Sequence, residues 1–584
     1  MNKFSKLLLI VALIFSVSTV CSVCATNYYV GFSSNPVGGV KYSGDVAGLK
    51  SALTVAGASD VVYIAKGTYY LDVELTVNTH IIGGCEPTGD GSQRTAIGAA
   101  ASVTSNMTVL DGNSFRHPRR IEKHRVATVN TNGIIENCLI RNGHARGTTN
   151  DNNDLNGHGG GVLLNGGKLY NCIIRGNVAM NVQYQSTNKS SGGGVYITSS
   201  GGQIVNCIIA FNMDDKGVGI DGKSGESINN TIAYNTQTPT WVNIPSGYFQ
   251  PYSETTTTLI TNRHIYLNAF YIASTECTNG QYACFMSAID FQGTSIPYLT
   301  VADKEALIAA KAPVPASYTG YPSDITVKDY ALLDFGGTTY AAGTGKNPSE
   351  TIFNLLSAGS VLYGGLATND NILWYPVSGG TTDNTASGEA LRRDNQPMSN
   401  VSWWGSLCFC LWQGGCLPTT AQWEYAARQD TSGTNNSYKY AGSNDIESVA
   451  WYSTNSVGKV HEVAKKTGTE KGLYDMSGNL WEWCLDAYDD VLSTGAGVLT
   501  VVGNTGKDLV SSGSGNGSSQ GAAKINPVII SDRNGGSSYP PGSIRLRHGG
   551  GWNDGADNSS LGKIGGTSPN SINRSYGFRS VCVP

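Results

Sequence analysis

Groups able to do acid–base chemistry gather once in the first half of the chain. Asp151, Asp154 and His158 share one loop, with Arg141, His144 and Arg146 close by in sequence. A base beside an acidic cluster is what a polysaccharide lyase uses to hold a uronate and remove its proton. The plainer reading is that these are solvated polar residues of a long loop between strands, and it is the stronger of the two.

Thiols offer a second chemistry. The chain has 13 cysteines, and Cys21 and Cys24 fall in the leader, which leaves an odd number and so at least one free thiol. Cys138, Cys172 and Cys207 recur at one register of a repeat and read as a buried apolar ladder, because a free cysteine behaves as a small hydrophobe. Cys408 and Cys410 are too close for a disulfide within a helix, and with Cys416 they read as packing residues. A third cluster suits recognition. From Asn553 to Tyr576 the chain is crowded with Asn, Asp, Gly, Ser, Arg and Tyr. Small polar residues give adaptable hydrogen bonding, and Trp552 and Tyr576 would act as rigid anchors.

The elements that must position these groups follow from the whole chain. Lys3 and Lys6, an apolar run from Leu7 to Val20 and the small-residue end Val23-Cys24-Ala25 predict a secretory signal over 1–25. The run is shorter than the roughly 20 residues that cross a bilayer, so no integral membrane segment is expected. Lipidation at Cys21 or Cys24 is the weaker alternative. A net charge of −4 from 39 basic and 43 acidic residues gives no reason to expect nucleic acid as partner. The expected localisation is secreted or cell-surface.

Four segments resemble one another: IENCLIRN ending at Asn142, YNCIIRGN at Asn177, VNCIIAFN at Asn212 and INNTIAYN at Asn235. Each is a short apolar run closed by Asn, which tolerates the left-handed turn, and so reads as a strand and a corner. Gly161-Val162, Gly194-Val195 and Gly217-Val218 open a companion ladder, with loops of unequal length such as Asn181 to Gly192 at one corner. A helix around Leu49 to Ala56 is expected to cap the open end. The stretch 26–235 resembles the pectin-lyase-like right-handed parallel β-helix proteins, an all-β solenoid. Residues 236–264, rich in Thr, Pro and Ser, read as a linker.

The remainder, 265–584, carries motifs in a fixed order: FYIASTECTNGQYACFM from Phe270, PMSNVSWWGSLCFCLW from Pro397, LPTTAQWEYAAR from Leu417, GLYDMSGNLWEW from Gly472, HGGGW from His548 and GFR from Gly577. This part resembles the formylglycine-generating enzyme, or sulfatase-modifying factor, family, whose domain is an α+β fold of C-type-lectin type. Insertions at about 287–393 and 489–543 interrupt the match, the second a Gly- and Ser-rich surface loop. Thr419 with Gln422 predicts a capping box for the helix that carries Trp423.

The resemblance sets expectations for the site. Asp475, the carbonyls of Gly478 and Leu480, and Glu482 correspond to a calcium site of the family, and oxygen donors suit that hard cation. The alternative is that both carboxylates serve backbone amides in a tight loop. Active members oxidise a substrate cysteine with a copper-binding thiol pair. Here the corresponding positions are Asp554 and Ser559, and no cysteine lies between Cys484 and Cys582. The histidine cluster of iron-using relatives is also missing, since this domain holds His461 and His548, with His264 at its edge. Neither copper nor iron is therefore expected, and catalysis is not.

The frame around Asn553–Tyr576 instead resembles the variable region of ligand-binding proteins diversified by retroelements. The expected ligand face is Trp552, Asn553, Asp554, Asp557, Asn558, Ser559, Leu561, Lys563, Asn570, Asn573, Arg574 and Tyr576, and the expected partner is a protein or glycan on a cell or phage surface. A formylglycine-generating or β-helix carbohydrate-active enzyme is the alternative function.

Overall fold

A computed structural model of the chain describes residues 25–582 apart from 34–38, 89–106, 113–122, 148–154, 182–189, 224, 234, 253–264, 289–394, 430–436, 488–499, 505–523, 532–543, 570 and 572. The expected signal and the first insertion fall almost wholly outside these residues, as do Asp151, Asp154 and Asn570.

The first half is built from parallel sheets. From Ile134 onward the chain visits four of them in a repeating order. Ile134–Glu136, Cys138–Arg141, His144–Gly147 and Val162–Asn165 are followed by Lys168–Tyr170, Ile173–Arg175, Val178–Asn181 and Val195–Ile197, and then by a third and a partial fourth round. Strands of equal rank pair in parallel, Leu139 opposite Ile173 and Ile173 opposite Ile208.

The corners explain themselves from the sequence. Asn137, Asn171, Asn206 and Asn229 adopt φ of 58°, 51°, 53° and 53°, the left-handed conformation that asparagine tolerates. The Asn residues that close the repeats bond along the stack. The Asn177 amide donates to Asn212 Oδ1 at 3.0 Å, and the Asn212 amide to Asn235 Oδ1 at 3.1 Å. Cys138, Cys172 and Cys207 line up inside, buried and free of disulfides. One expected register is corrected. Val195 pairs with Ile220, so the third companion strand opens at Gly219-Ile220 rather than at Gly217-Val218. Gly217 instead takes φ 75° in the turn before it. The helix Val46–Val55 is capped by Asp45, whose carboxylate accepts from Gly48 N at 2.7 Å, and it buries Leu49 and Ala52 against the first strands.

The linker expectation is also corrected. Thr236–Gln237 pairs with Met213–Asp214 in the last round of the repeat. Trp241–Ile244 then pairs antiparallel with Phe270–Ala273, and Gly247–Phe249 with Ile265–Leu267. Trp, Val, Ile, Tyr and Phe spaced among the Thr and Pro supply strand-forming residues that the overall composition concealed. The second insertion is likewise not all loop, since Thr500–Asn504 and Lys524–Ser531 pair and join the Ile265–Leu267 strand.

The second half is a mixed domain. Helices Asn279–Ala288, Trp403–Gln413 and Thr420–Arg428 surround a four-stranded sheet ordered Ile564–Thr567, Arg545–His548, Trp481–Ala487 and Tyr576–Gly577. The capping box forms as expected, with Gln422 N donating to Thr419 Oγ1 at 3.1 Å and Thr419 N to Gln422 Oε1 at 2.9 Å. Trp403, Trp412, Trp423 and Trp483 are fully buried. Each indole N–H has an acceptor: Cys484 O at 2.7 Å, Asn142 Oδ1 at 3.0 Å, Glu482 Oε2 at 2.8 Å and Val401 O at 3.0 Å. The two halves share one core, in which Val178, Met180 and Met213 of the repeat pack with Phe270, Phe285 and Trp412.

Candidate recognition face and the polar node beneath it

The GLYDMSGNLWEW segment and the GFR segment meet at a buried charge cluster. Arg579 donates to Glu482 Oε1 and Oε2, both at 2.6 Å, and its remaining N–H groups reach Ala273 O at 3.1 Å and Tyr474 O at 2.8 Å. Glu276, from the TECTN turn, accepts from Leu480 N at 2.9 Å and Asn479 Nδ2 at 2.8 Å. Burial, with Asp475 and Glu482 nearby, raises the Glu276 carboxyl well above its usual range. Asp475 accepts from Ala464 N at 2.7 Å, and burial pushes it up to about 6. The guanidinium is therefore the cation that this acidic cluster is built around.

That arrangement does not fit calcium at the expected residues. Both oxygens of Glu482 are taken by Arg579, and Trp423 adds a third donor. A divalent ion there would face a guanidinium at close range. Among the described residues no three His, Cys, Asp or Glu side chains form a group that could hold a metal. Asp475 serves a backbone amide, that of Ala464, whereas Glu482 serves the Arg579 guanidinium and the Trp423 indole rather than an amide. Gly478 and Leu480 lie in the chain between them. Glu276 and Arg579 were not singled out from the sequence, although both lie in motifs that were.

The stretch from Trp552 to Tyr576 divides cleanly. Trp552, Ser559 and Leu561 are buried, so these three are scaffold and are withdrawn from the expected ligand face. Trp552 lies under the Arg574 guanidinium at 4.8 Å, and its indole N–H donates to Arg574 O at 3.2 Å. Asn553, Asp557, Asn573 and Arg574 are exposed, and Asp554, Asn558, Lys563 and Tyr576 are half-buried. Asp554 holds the loop together, accepting from Trp481 Nε1 at 2.6 Å and Gly551 N at 3.0 Å. Asp554 is thus a loop clasp and Ser559 a buried hydroxyl.

Of the acid–base cluster in the first half, Asp151 and Asp154 lie outside the described residues. Arg141 is buried in an ion pair with Asp111 at 2.8 Å. His158 stacks on Tyr196 with ring centroids 4.3 Å apart and bonds Ser191, and burial lowers its imidazole.

An α+β domain whose small sheets and helices are tied by paired buried tryptophans and a Glu–Arg node is a C-type-lectin-like domain of the formylglycine-generating-enzyme kind. The chain belongs to the sulfatase-modifying factor enzyme 1-like domain family, whose model matches residues 229–583. It is similar to the formylglycine-generating enzyme of Thermomonospora curvata, 33% identical over 108 residues, which cover 16% of this chain and 34% of that protein. A second such enzyme, from Streptomyces coelicolor, is 30% identical over 127 residues, 19% of this chain and 37% of its own length. The chain thus spans about a third of the length of these curated relatives. Among solved structures, Treponema denticola variable protein 1 aligns at 20% identity with a TM-score of 0.30, over 59% of this chain and 95% of that one.

Proposed function

We propose that the chain is an exported recognition protein. In this reading the parallel sheets of the first half form a right-handed β-helix that serves as a stalk, and the exposed face between Asn553 and Tyr576 binds a protein or glycan on a cell or phage surface. The observation that carries it is the division of that stretch: Trp552, Ser559 and Leu561 anchor it inward, while Asn553, Asp557, Asn573 and Arg574 face outward. A fixed frame under a tolerant polar surface is the design of a paratope, and it suits the resemblance to retroelement-diversified proteins. Asp554 and Ser559 at the thiol positions weigh against the formylglycine-generating alternative.

Binding of the full chain to intact bacterial cells is the test, comparing wild type with an Asn553→Ala, Asp557→Ala, Arg574→Ala variant. The variant should keep its thermal midpoint and lose binding. Unchanged binding would move the ligand site elsewhere. The retroelement reading is checked separately, by looking beside the gene for a reverse transcriptase and a near-copy of the Asn553–Tyr576 coding segment that differs at adenines.

A further inference from the structure

The first strand of the molecule starts on a carboxylate. Thr26 N donates to Asp60 Oδ1 at 2.7 Å, one residue before the strand Asn27–Val30. The other oxygen, Asp60 Oδ2, accepts from Gly57 N at 2.7 Å, just past the helix Val46–Val55. Val61 N in turn donates to Thr26 O at 3.1 Å, and Asn27 sits opposite Val61 in the parallel pair. Thr79 Oγ1 donates to the Asp60 carbonyl at 2.6 Å. Asp60 therefore ties together the starts of three strands and the end of the helix.

Asp60 is only 7% exposed. The amides of Thr26 and Gly57 hold its carboxyl below the usual range, so it is ionised at neutral pH. Among the described residues no lysine, arginine or histidine side chain pairs with it. An anion drawn out of water without an opposite charge is costly to keep. Of the atoms bonded to this carboxylate, the Thr26 nitrogen is the one that backbone cleavage can turn into a cation.

The residues before it provide for that change. Ala25 is exposed, and Val23-Cys24-Ala25 after the apolar run is the small-residue pattern at which a leader is removed. Hydrolysis of the Ala25–Thr26 bond consumes one water. Its oxygen leaves with the leader as part of the Ala25 carboxylate, and the Thr26 nitrogen keeps the bonding pair and takes both protons, becoming an ammonium. A terminus one residue earlier would carry the charge about 3.5 Å further along the chain, out at the exposed Ala25.

We propose that removal of the leader after Ala25 sets the new Thr26 ammonium on the Asp60 carboxylate, closing an ion pair that fastens the first strand and exists only in the processed protein. The inference rests on the export reading above and adds to it the cleavage point and a structural use for the new terminus.

The full-length gene is expressed in a bacterium that exports the protein, and the N-terminus of the recovered chain is sequenced. Thr26 is expected there. Three forms of that chain are then compared in thermal melts: one starting at Thr26, one starting at Ala25, and one starting at Thr26 with an acetyl group on its nitrogen, which keeps the N–H donor and removes the charge. The free Thr26 form should melt roughly 1–2 °C above the other two, and the difference should vanish when all three carry Asp60→Asn. Because that substitution also disturbs the bond to Gly57, a second readout is chemical. At neutral pH the α-amino group should react with an acylating reagent roughly tenfold more slowly in wild type than in Asp60→Asn, since pairing holds it protonated. Equal midpoints for the three wild-type forms, a difference that persists in Asp60→Asn, or equal acylation rates would overturn the proposal. A mature terminus other than Thr26 would also overturn it while leaving export standing. A chain that stays inside the cell with its leader attached would remove both.

Discussion

Arg579 and Glu482 lie 97 residues apart in sequence and are joined by two parallel hydrogen bonds of 2.6 Å, both side chains fully buried. A buried pair is weak evidence of net stabilisation, but removing one member strands the other without solvent. Arg579→Met should therefore cost about 3–5 kcal/mol in denaturant unfolding. The double variant Arg579→Met, Glu482→Gln should recover part of that loss. Additive losses would show that the two residues act independently.

The same pair decides the response to calcium. With both Glu482 oxygens engaged by Arg579, a chelator should leave the thermal midpoint of the full chain unchanged, and millimolar calcium should not raise it, because only a ligand that binds the folded state stabilises it. A midpoint that falls on chelation and returns with calcium would mean that the ion pair opens to admit the metal.

His548 supplies a pH signature. It is fully buried against Trp423, with ring centroids 4.5 Å apart and neither nitrogen hydrogen-bonded among the described residues, and burial lowers its imidazole from 6.5 to about 3. The unfolded chain takes up a proton near 6.5 that the folded chain refuses. The stabilisation is thus complete above 6.5 and is lost as pH falls towards 3, at about 1.4 kcal/mol per pH unit. Asp475 and Glu424, raised to about 6 and about 7, act in the opposite sense, destabilising the fold as pH rises through those values. Comparing His548→Phe with wild type isolates the histidine. The variant should gain relative to wild type as pH drops from 6.5 to 4 in thermal melts, and a difference independent of pH would refute the assignment.

Catalysis is the remaining prediction. The purified chain should leave the cysteine of a sulfatase-motif peptide unmodified with or without added copper, read by mass spectrometry. Asp554 is committed to Trp481 and Gly551, and Ser559 is buried. Conversion of the peptide would restore the enzymatic alternative.

What could be read from the residues in advance was local. Asn-closed repeats announce their corners because asparagine tolerates the left-handed turn, and Thr419 with Gln422 announces a helix start, since both act within a few positions. Contacts across long separations were not legible. Nothing near Glu482 signals that Arg579 rather than calcium would face it. Nothing near Trp552, Ser559 or Leu561 distinguishes an inward from an outward side chain in a stretch without periodicity. The strands Trp241–Ile244 and Gly247–Phe249 were hidden by a Thr- and Pro-rich average, and neither alternates apolar with polar residues.

The bond from Trp412 to Asn142 crosses 270 positions of sequence and sits within a shared core where Met180 and Met213 of the repeat pack with Phe285. Strands on either side of the crossing, Thr236–Gln237 and Trp241–Ile244, leave almost no slack between them. Such a joint behaves as a weld. Tension applied to the parallel sheets passes into the mixed domain through packed side chains rather than through a flexible tether.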